Sequence, residues 1–185
     1  MKILLEQVYK KVVTFLNRSK YKYLIIGGIA AGTLGEPRVT GDVDVDIIID
    51  QEDVPDFLDK AKKDGFKVSP KKCLRTAEQT GTFHINYGDF HIDFIIASTD
   101  LERQAFNRKK TIKLYGIKAF FPTPEDLIIF KIIPGRKQDL LDAERIVMRH
   151  KEKLDIGYLE SWARKLSDQA EDMRIWNELK TLLKD

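Results

Sequence analysis

The sequence predicts an α+β fold in which helices flank a mixed β-sheet, with a helical part at the C-terminal end. In the first half of the chain, segments with strand periodicity alternate with segments of helix periodicity. Two pairs of short strand-like segments follow, each joined by a tight turn containing glycine. From residue 123 onward only helix periodicity remains. We therefore expect a core over residues 1–122 and a helical part over 123–185, either packed as a second domain or continuous with the first.

Composition excludes several classes of protein. The 185 residues contain 43% hydrophobic side chains and carry a net charge of +3, so a globular core is expected and global charge indicates no particular partner. A single cysteine, Cys73, excludes an internal disulfide and favours a reducing, cytoplasmic compartment. No apolar run approaches the ~20 residues needed to span a bilayer. The charged N-terminal segment, MKILLEQVYKKVV, is not a signal peptide.

The elements of the predicted core follow from periodicity and from glycine and proline positions. The predicted helices cover residues 2–17, 29–34, 52–64 and 101–108. The predicted strands cover 21–26, 43–49, 82–87, 90–96, 111–114 and 117–121. A short edge strand is expected over 66–69, and residues 71–80 are expected to form a solvated loop.

The predicted C-terminal helices cover 124–133, 137–150, 155–166 and 169–184. Thr123 and Pro124 provide a cap and a first-turn proline for the first of them, and Pro134-Gly135 ends it.

The strand over residues 43–49 is unusual because it is acidic. Asp42, Asp44 and Asp46 alternate with apolar residues, so strand periodicity places the three carboxylates on one face. Aspartate is unfavourable in strands and like charges along one face repel, which indicates a bound cation such as Mg²⁺. The alternative is that Asp42 caps the loop after Thr40-Gly41 while the other two face water.

Two further features are candidates for the same site. Gly27-Gly28 lies between a strand and a helix, where backbone amides bind phosphate, although a glycine pair more often only reverses the chain. Asp93 lies in an apolar strand, where burial is costly unless the carboxylate is paired or metal-bound. His91 shares its face and is either a surface residue or a supporting group.

The C-terminal helices contain a third candidate feature. Lys131 interrupts the apolar run LIIFKII, and Asp139 and Asp142 are three residues apart on one helix face. A snorkelling lysine and ion pairs within the helix would explain the same pattern.

On these residues the chain resembles the DNA polymerase β-type nucleotidyltransferase superfamily, and most closely its small prokaryotic branch of abortive-infection and toxin–antitoxin enzymes. The resemblance covers residues 20–145. It rests on the glycine pair, an R-x-T-x-D-x-D run, a distant aspartate, a lysine and a D-x-x-D pair. These residues are Gly27, Gly28, Arg38, Thr40, Asp42, Asp44, Asp93, Lys131, Asp139 and Asp142.

The resemblance implies a role for each of these residues. Asp42, Asp44 and Asp93 would be catalytic and would bind Mg²⁺ or Mn²⁺. The other residues of the set would bind the nucleoside triphosphate, ATP or GTP. Many members of the superfamily have Gly-Ser where this chain has Gly27-Gly28, so a serine contact to phosphate would be missing. Asp46 has no role in the pattern and is expected to support the site or to face solvent.

The implied activity is metal-dependent transfer of a nucleoside monophosphate to an acceptor hydroxyl, with an antitoxin as a partner if the enzyme is of the toxin type. Basic residues over 60–75 and 103–118 favour an RNA or tRNA acceptor, although each cluster is also compatible with an ordinary solvated surface. A protein or a small hydroxylated molecule stays open as the acceptor. The alternatives are a non-catalytic nucleotide-binding or regulatory protein on the same fold, a purely structural protein, and a helix-turn-helix regulator.

Overall fold

The computed structural model describes residues 3–184 and divides them into two compact units. The first contains residues 3–29 and 39–121, and the second contains residues 30–38 and 122–184. The division near residue 122 coincides with the expected start of the helical part. Residues 30–38, which the sequence places within the core, group with the C-terminal helices. That these units are separate domains stays a prediction.

A four-stranded mixed sheet forms the centre of the first unit. Its strands are β1 (Lys22–Ile25), β2 (Asp42–Ile48), β3 (Thr82–Tyr87) and β4 (Phe90–Ile96). In the order β1-β2-β4-β3, β2 is antiparallel to β1 and parallel to β4, and β4 is antiparallel to β3. A separate hairpin pairs β5 (Lys110–Leu114) with β6 (Ile117–Phe121). The predicted α+β fold with a mixed sheet is confirmed.

The helices of the first unit are α1 (Leu5–Arg18), the start of α2 (Gly27–Leu34), α3 (Val54–Lys63), α4 (Pro70–Thr80) and α5 (Asp100–Arg108). Helix α4 packs against β3 at the edge of the sheet. Phe57 on α3 makes edge-to-face contacts with Phe15, Phe83 and Phe94 at centroid distances of 5.4, 5.4 and 5.0 Å. Because these rings are buried, they anchor α1 and α3 to the sheet.

Helix α4 corrects the expectation of a solvated loop over 71–80. Its buried stripe consists only of Cys73 and Ala77, one turn apart, so the apolar periodicity is too narrow to stand out in the sequence. Pro70 in the first turn and Gly81 at the C-cap, with φ +68°, are the signals that mark the helix. The expected edge strand over 66–69 is reduced to one bridge, between Lys67 and Asn86.

The other boundaries agree with prediction within a few residues. The predicted start of the first helix at residue 2 lies outside the described residues, and within them the helix begins at Leu5. The break between the last two helices falls later than expected, because Glu171 adopts a left-handed conformation at the C-cap of the penultimate helix.

Four helices form most of the second unit. They are α6 (Pro124–Ile132), α7 (Lys137–His150), α8 (Ile156–Ala170) and α9 (Arg174–Leu182). As predicted, Thr123 caps α6, accepting a hydrogen bond from the amide of Asp126. Arg149 Nη1, at the end of α7, donates to the carbonyl of Gly35 at 2.6 Å, which fixes the segment after α2 to this unit. No helix in residues 3–184 has the length and hydrophobicity required to cross a membrane.

Candidate active site

The pairing of β2 with β4 brings the predicted carboxylates together. In this parallel pair Asp44 is opposite Asp93, and Asp42 is opposite His91. One carboxylate oxygen from each of Asp42, Asp44 and Asp93 lies within 4.8 Å of the others. All three side chains are half-buried, so they are accessible from solvent. We call this group the acidic triad.

The electrostatics of the acidic triad suit a hard divalent cation. Burial, followed by the negative charge of Asp42, raises the pKa of Asp93 above its ordinary value, while His84 and His91 act in the opposite direction. Three carboxylates this close repel one another, and a cation with oxygen ligands relieves that repulsion. The donor set is all carboxylate oxygen, which is the set that Mg²⁺ and Mn²⁺ prefer.

Two neighbouring residues hold the triad in place. Thr40 Oγ1 donates a hydrogen bond to Asp42 Oδ1 at 2.8 Å, so Thr40 supports a triad carboxylate directly. The amide of Ile26 donates to the carbonyl of Asp44 at 3.0 Å, which extends the pairing of β1 with β2 to the start of the glycine pair.

Gly27 is required by the position of Asp44. Its φ is +62°, and a Cβ built on it would lie 1.8 Å from Asp44 Oδ2. Only glycine fits both constraints. Gly27 and Gly28 form the first turn of α2, where backbone amides without partners in the helix create a positive end. The glycine pair is therefore adjacent to the acidic triad, and its binding of phosphate stays a prediction.

Asp46 is deeply buried, so the expectation that it faces solvent is wrong. It lies between Leu24 of β1 and Ile95 of β4 and is 1% exposed. Its Oδ1 has no hydrogen-bond partner among the described residues. Burial, then the charge of Glu102, raises the pKa of Asp46 to about 8, although the backbone of Ile47 opposes the shift. Asp46, the third aspartate of the strand, is therefore not part of the acidic triad.

The remaining predicted residues form an ion-pair cluster within the helical unit. Lys131 Nζ lies 2.8 Å from Asp139 Oδ1 and 3.0 Å from Asp142 Oδ2. Arg38 donates to both oxygens of Asp142, at 2.8 and 2.9 Å. Although burial raises the pKa of Asp142, the hydrogen bonds from Arg38 and Lys131 hold it below its ordinary value. These four residues lie together, in a different unit from the acidic triad and the glycine pair.

A pocket of about 290 Å³ lies on the β3 side of the acidic triad. Its polar lining consists of Asp44, Asp93, Thr76, Thr82 and His84. The last three of these residues were not predicted as site residues from the sequence. The turn at Gly88 pairs Tyr87 with Phe90, and counting back from that pair places His84 opposite Asp93, so the signal for His84 was present in the hairpin. Thr76 could not be placed from the sequence because its helix was predicted as a loop.

The fold and the acidic triad together are those of a nucleotidyltransferase. The model of the family described as "Nucleotidyltransferase of unknown function (DUF6036)" matches residues 4–184, and the chain belongs to this family. The predicted membership of the nucleotidyltransferase superfamily is confirmed, and with it the prediction that the protein is an enzyme. No curated protein matches the chain significantly.

Solved structures with the same fold are distant in sequence. One is the lincosamide antibiotic adenylyltransferase LnuA with lincomycin bound (TM-score 0.56, 12% identity, covering 79% of this chain and 98% of that one). Another is an antigenic nucleotidyltransferase-like protein from Paracoccidioides brasiliensis (TM-score 0.58, 17% identity, covering 97% of this chain and 92% of that one). A third is the antibiotic-resistance factor ANT(2'')-Ia (TM-score 0.61, 13% identity, covering 90% of this chain and 94% of that one). At these identities the likeness concerns the fold.

Proposed function

We propose that this nucleotidyltransferase uses a divalent cation, Mg²⁺ or Mn²⁺, held by Asp42, Asp44 and Asp93, to move a nucleoside monophosphate from a triphosphate to an acceptor hydroxyl. The observation that carries the proposal is the approach of three carboxylate oxygens to within 4.8 Å of one another on two adjoining strands. Carboxylates at this separation repel one another, and a bound divalent cation offsets that repulsion.

The chemistry is a displacement at the α-phosphorus. The acceptor oxygen forms a bond to this phosphorus, the bond from phosphorus to the α,β-bridging oxygen breaks, and pyrophosphate leaves with that oxygen. A bound divalent cation would neutralise the negative charge on the α-phosphate and the leaving pyrophosphate.

The chain's own residues orient the reactants and accept the proton. The amides of Gly27 and Gly28, at the positive end of α2, bind the phosphates of the triphosphate. The proton of the acceptor hydroxyl passes to a carboxylate oxygen of Asp93, which lines the pocket beside the acidic triad.

Nucleotide binding by Arg38, Thr40, Lys131, Asp139 and Asp142 stays a prediction. In the structure Thr40 hydrogen-bonds to Asp42, and the other four residues pair with one another. If they bind nucleotide, they do so from within an existing ion-pair cluster. Their arrangement is equally that of a cluster that stabilises the helical unit.

The acceptor stays open between RNA, protein and a small molecule, and two of these have support. Exposed lysines and arginines on α4, among them Lys71, Lys72 and Arg75, favour RNA or tRNA. The name of one structural relative, a lincosamide antibiotic adenylyltransferase, favours a low-molecular-weight hydroxyl compound. The toxin-type role, an antitoxin partner and a cytoplasmic location stay predictions from the sequence.

The test is transfer of label from α-³²P nucleoside triphosphates to three separate pools: total RNA, protein, and a low-molecular-weight filtrate. Wild-type protein is expected to label one pool in the presence of Mg²⁺ or Mn²⁺, and to lose this activity on chelation. Asp93→Asn is expected to label nothing while remaining folded by circular dichroism. Failure of the wild-type protein to label any pool with any triphosphate would contradict the proposal.

A further inference from the structure

The acidic triad lies between two different features of the first unit. On the β1 side is the glycine pair, where a Cβ on Gly27 would collide with Asp44. On the β3 side is the pocket of about 290 Å³ that Asp44 and Asp93 share with His84, Thr76 and Thr82. The strand order β1-β2-β4-β3 separates the two features, with the triad on the two central strands.

This separation matches the geometry of phosphoryl-group displacement. The attacking oxygen and the leaving oxygen lie roughly in line, on opposite sides of the phosphorus. If the glycine pair holds the phosphates that leave, the acceptor approaches from the other side of the triad. The pocket occupies that side.

The lining of the pocket indicates what it binds. The threonine hydroxyls and the imidazole of His84 can hydrogen-bond to hydroxyl groups. Ile95 contributes apolar surface to the lining, whereas Phe83 and Phe94, which complete it, are buried core residues. A sugar ring has hydroxyl groups at its edge and C–H groups on its faces, so it matches both parts. The volume lies just below the ~300–1,000 Å³ usual for ligand pockets, which suits one ring and not a whole drug-sized molecule.

We propose that this pocket binds the sugar ring of the acceptor that carries the reacting hydroxyl, with His84, Thr76 and Thr82 as the residues that position it. The inference rests on the proposed nucleotidyl transfer and adds the acceptor subsite to it. The ring is either the terminal ribose of an RNA or a ring of a small glycoside, since both present the same chemistry. Hydroxyl groups at the edge of the ring face Thr82 and His84, and the reacting hydroxyl faces Asp93.

The kinetic test separates the acceptor from the triphosphate. Thr82→Val and His84→Gln are each expected to raise the KM for the labelled acceptor by about three- to tenfold, the effect of losing one hydrogen bond, and to leave the KM for the triphosphate unchanged. Thr111→Val is the matched control, because Thr111 is an exposed threonine on β5 that does not line the pocket. A rise in the triphosphate KM instead would place the nucleotide in the pocket and overturn the proposal.

A binding measurement tests the pocket without requiring turnover. The chain has three histidines, so protein labelled at histidine ¹³Cε1 gives three signals, and His84→Gln identifies that of His84. With Mg²⁺ and α,β-methylene-ATP present, methyl β-D-ribofuranoside or methyl α-D-glucopyranoside is expected to shift the His84 signal saturably and to leave that of His150 unchanged. A His84 signal that responds to neither glycoside contradicts the proposal.

The two experiments also separate this inference from the proposed function. A glycoside-dependent His84 shift in a protein that transfers no nucleotide would support the ring site and contradict nucleotidyl transfer. Transfer that proceeds equally well in Thr82→Val and His84→Gln would support nucleotidyl transfer and overturn the ring site. Labelling of a ribose-terminated oligoribonucleotide, compared with labelling of the two glycosides, distinguishes the two sources of the ring.

Discussion

At the scale of single residues, the site depends on Gly27 making space for a carboxylate. The backbone at Gly27 is left-handed, and the position that a Cβ would take is filled by the side chain of Asp44. The glycine therefore does more than allow a phosphate to approach. It lets Asp44 keep the conformation in which its carboxylate lies near that of Asp93.

Replacing Gly27 with alanine is therefore expected to displace Asp44. Misplacing a reacting group by about 1 Å costs about a hundredfold in rate, so transfer by Gly27→Ala should fall by at least that factor. The assay is transfer of α-³²P label under saturating triphosphate. Gly41→Ala is the control, because a Cβ at Gly41 would meet nothing within 4 Å. Equal activity in the two variants would show that the close approach to Asp44 is unimportant.

Asp46 is expected to make the stability of the metal-free protein depend on pH. Its pKa is raised from 3.8 to about 8 in the folded chain, so the folded state favours the protonated acid. The free energy of unfolding should then fall as pH rises from about 4 to about 8 and level off above that.

Asp46→Asn removes this titration while keeping the shape of the side chain. The variant is expected to be more stable than wild type at pH 8–9, by a margin that shrinks towards pH 4. Urea unfolding of both proteins in EDTA at several pH values measures the difference. A margin that is constant across this range would contradict the account of Asp46.

At the scale of elements, the pairing of β2 with β4 brings the carboxylates of the acidic triad together. The sequence predicted the residues of the site better than their arrangement. Alternation identified Asp42 and Asp44 on one face and Asp93 in a buried strand. It also treated Asp46 as equivalent to them, because period-two patterns show the face of a strand and not the depth of burial along it. Depth depends on neighbouring strands and helices, which are distant in sequence.

Short-range signals explain which elements were predicted correctly. Tight turns predicted both hairpins, and Thr123 with Pro124 predicted the start of α6. Helix α4 was missed because it buries only small side chains at the edge of the sheet. Thr76, which lies on this helix and lines the pocket, was therefore not predicted either. Such a helix depends on its packing more than on its own apolar stripe.

Helix α3 is expected to stabilise the sheet chiefly through Phe57. Removing a buried phenylalanine costs about 3–5 kcal/mol, so Phe57→Ala should lose that much of the free energy of unfolding. Equilibrium unfolding in urea measures it. Val39→Ala is the control, since Val39 is 95% exposed and should change stability by less than about 0.5 kcal/mol. A loss below about 1 kcal/mol for Phe57→Ala would argue against this packing.

At the scale of the whole molecule, the two units carry different kinds of polar cluster. The sheet unit holds three carboxylates close together on β2 and β4, whereas the helical unit pairs Lys131 and Arg38 with Asp139 and Asp142. The first arrangement is typical of a site that binds a cation. The second is largely neutralised by its own members.

Lys131 is accordingly expected to be important for stability. Lys131→Met removes the shared cation of the buried carboxylates of Asp139 and Asp142, which keep Arg136 and Arg38 as partners. The loss is therefore expected to lie at or below the lower end of the about 3–5 kcal/mol that an unpaired buried charge costs. Thermal and urea unfolding check the change. Calorimetry with ATP on the folded variant tests nucleotide binding separately: weaker ATP binding would support the predicted role of Lys131, and unchanged stability would contradict the structural one.

The central claim is that Asp42, Asp44 and Asp93 form one divalent-cation site, and the most direct test is Mn²⁺ binding followed by electron paramagnetic resonance. Wild-type protein is expected to bind Mn²⁺ saturably, with Mg²⁺ competing for the same site. Asp44→Asn should weaken this binding by at least about tenfold, because a neutral amide is a poorer ligand for a hard cation than a carboxylate. Equal Mn²⁺ affinity in wild type and Asp44→Asn would contradict the claim.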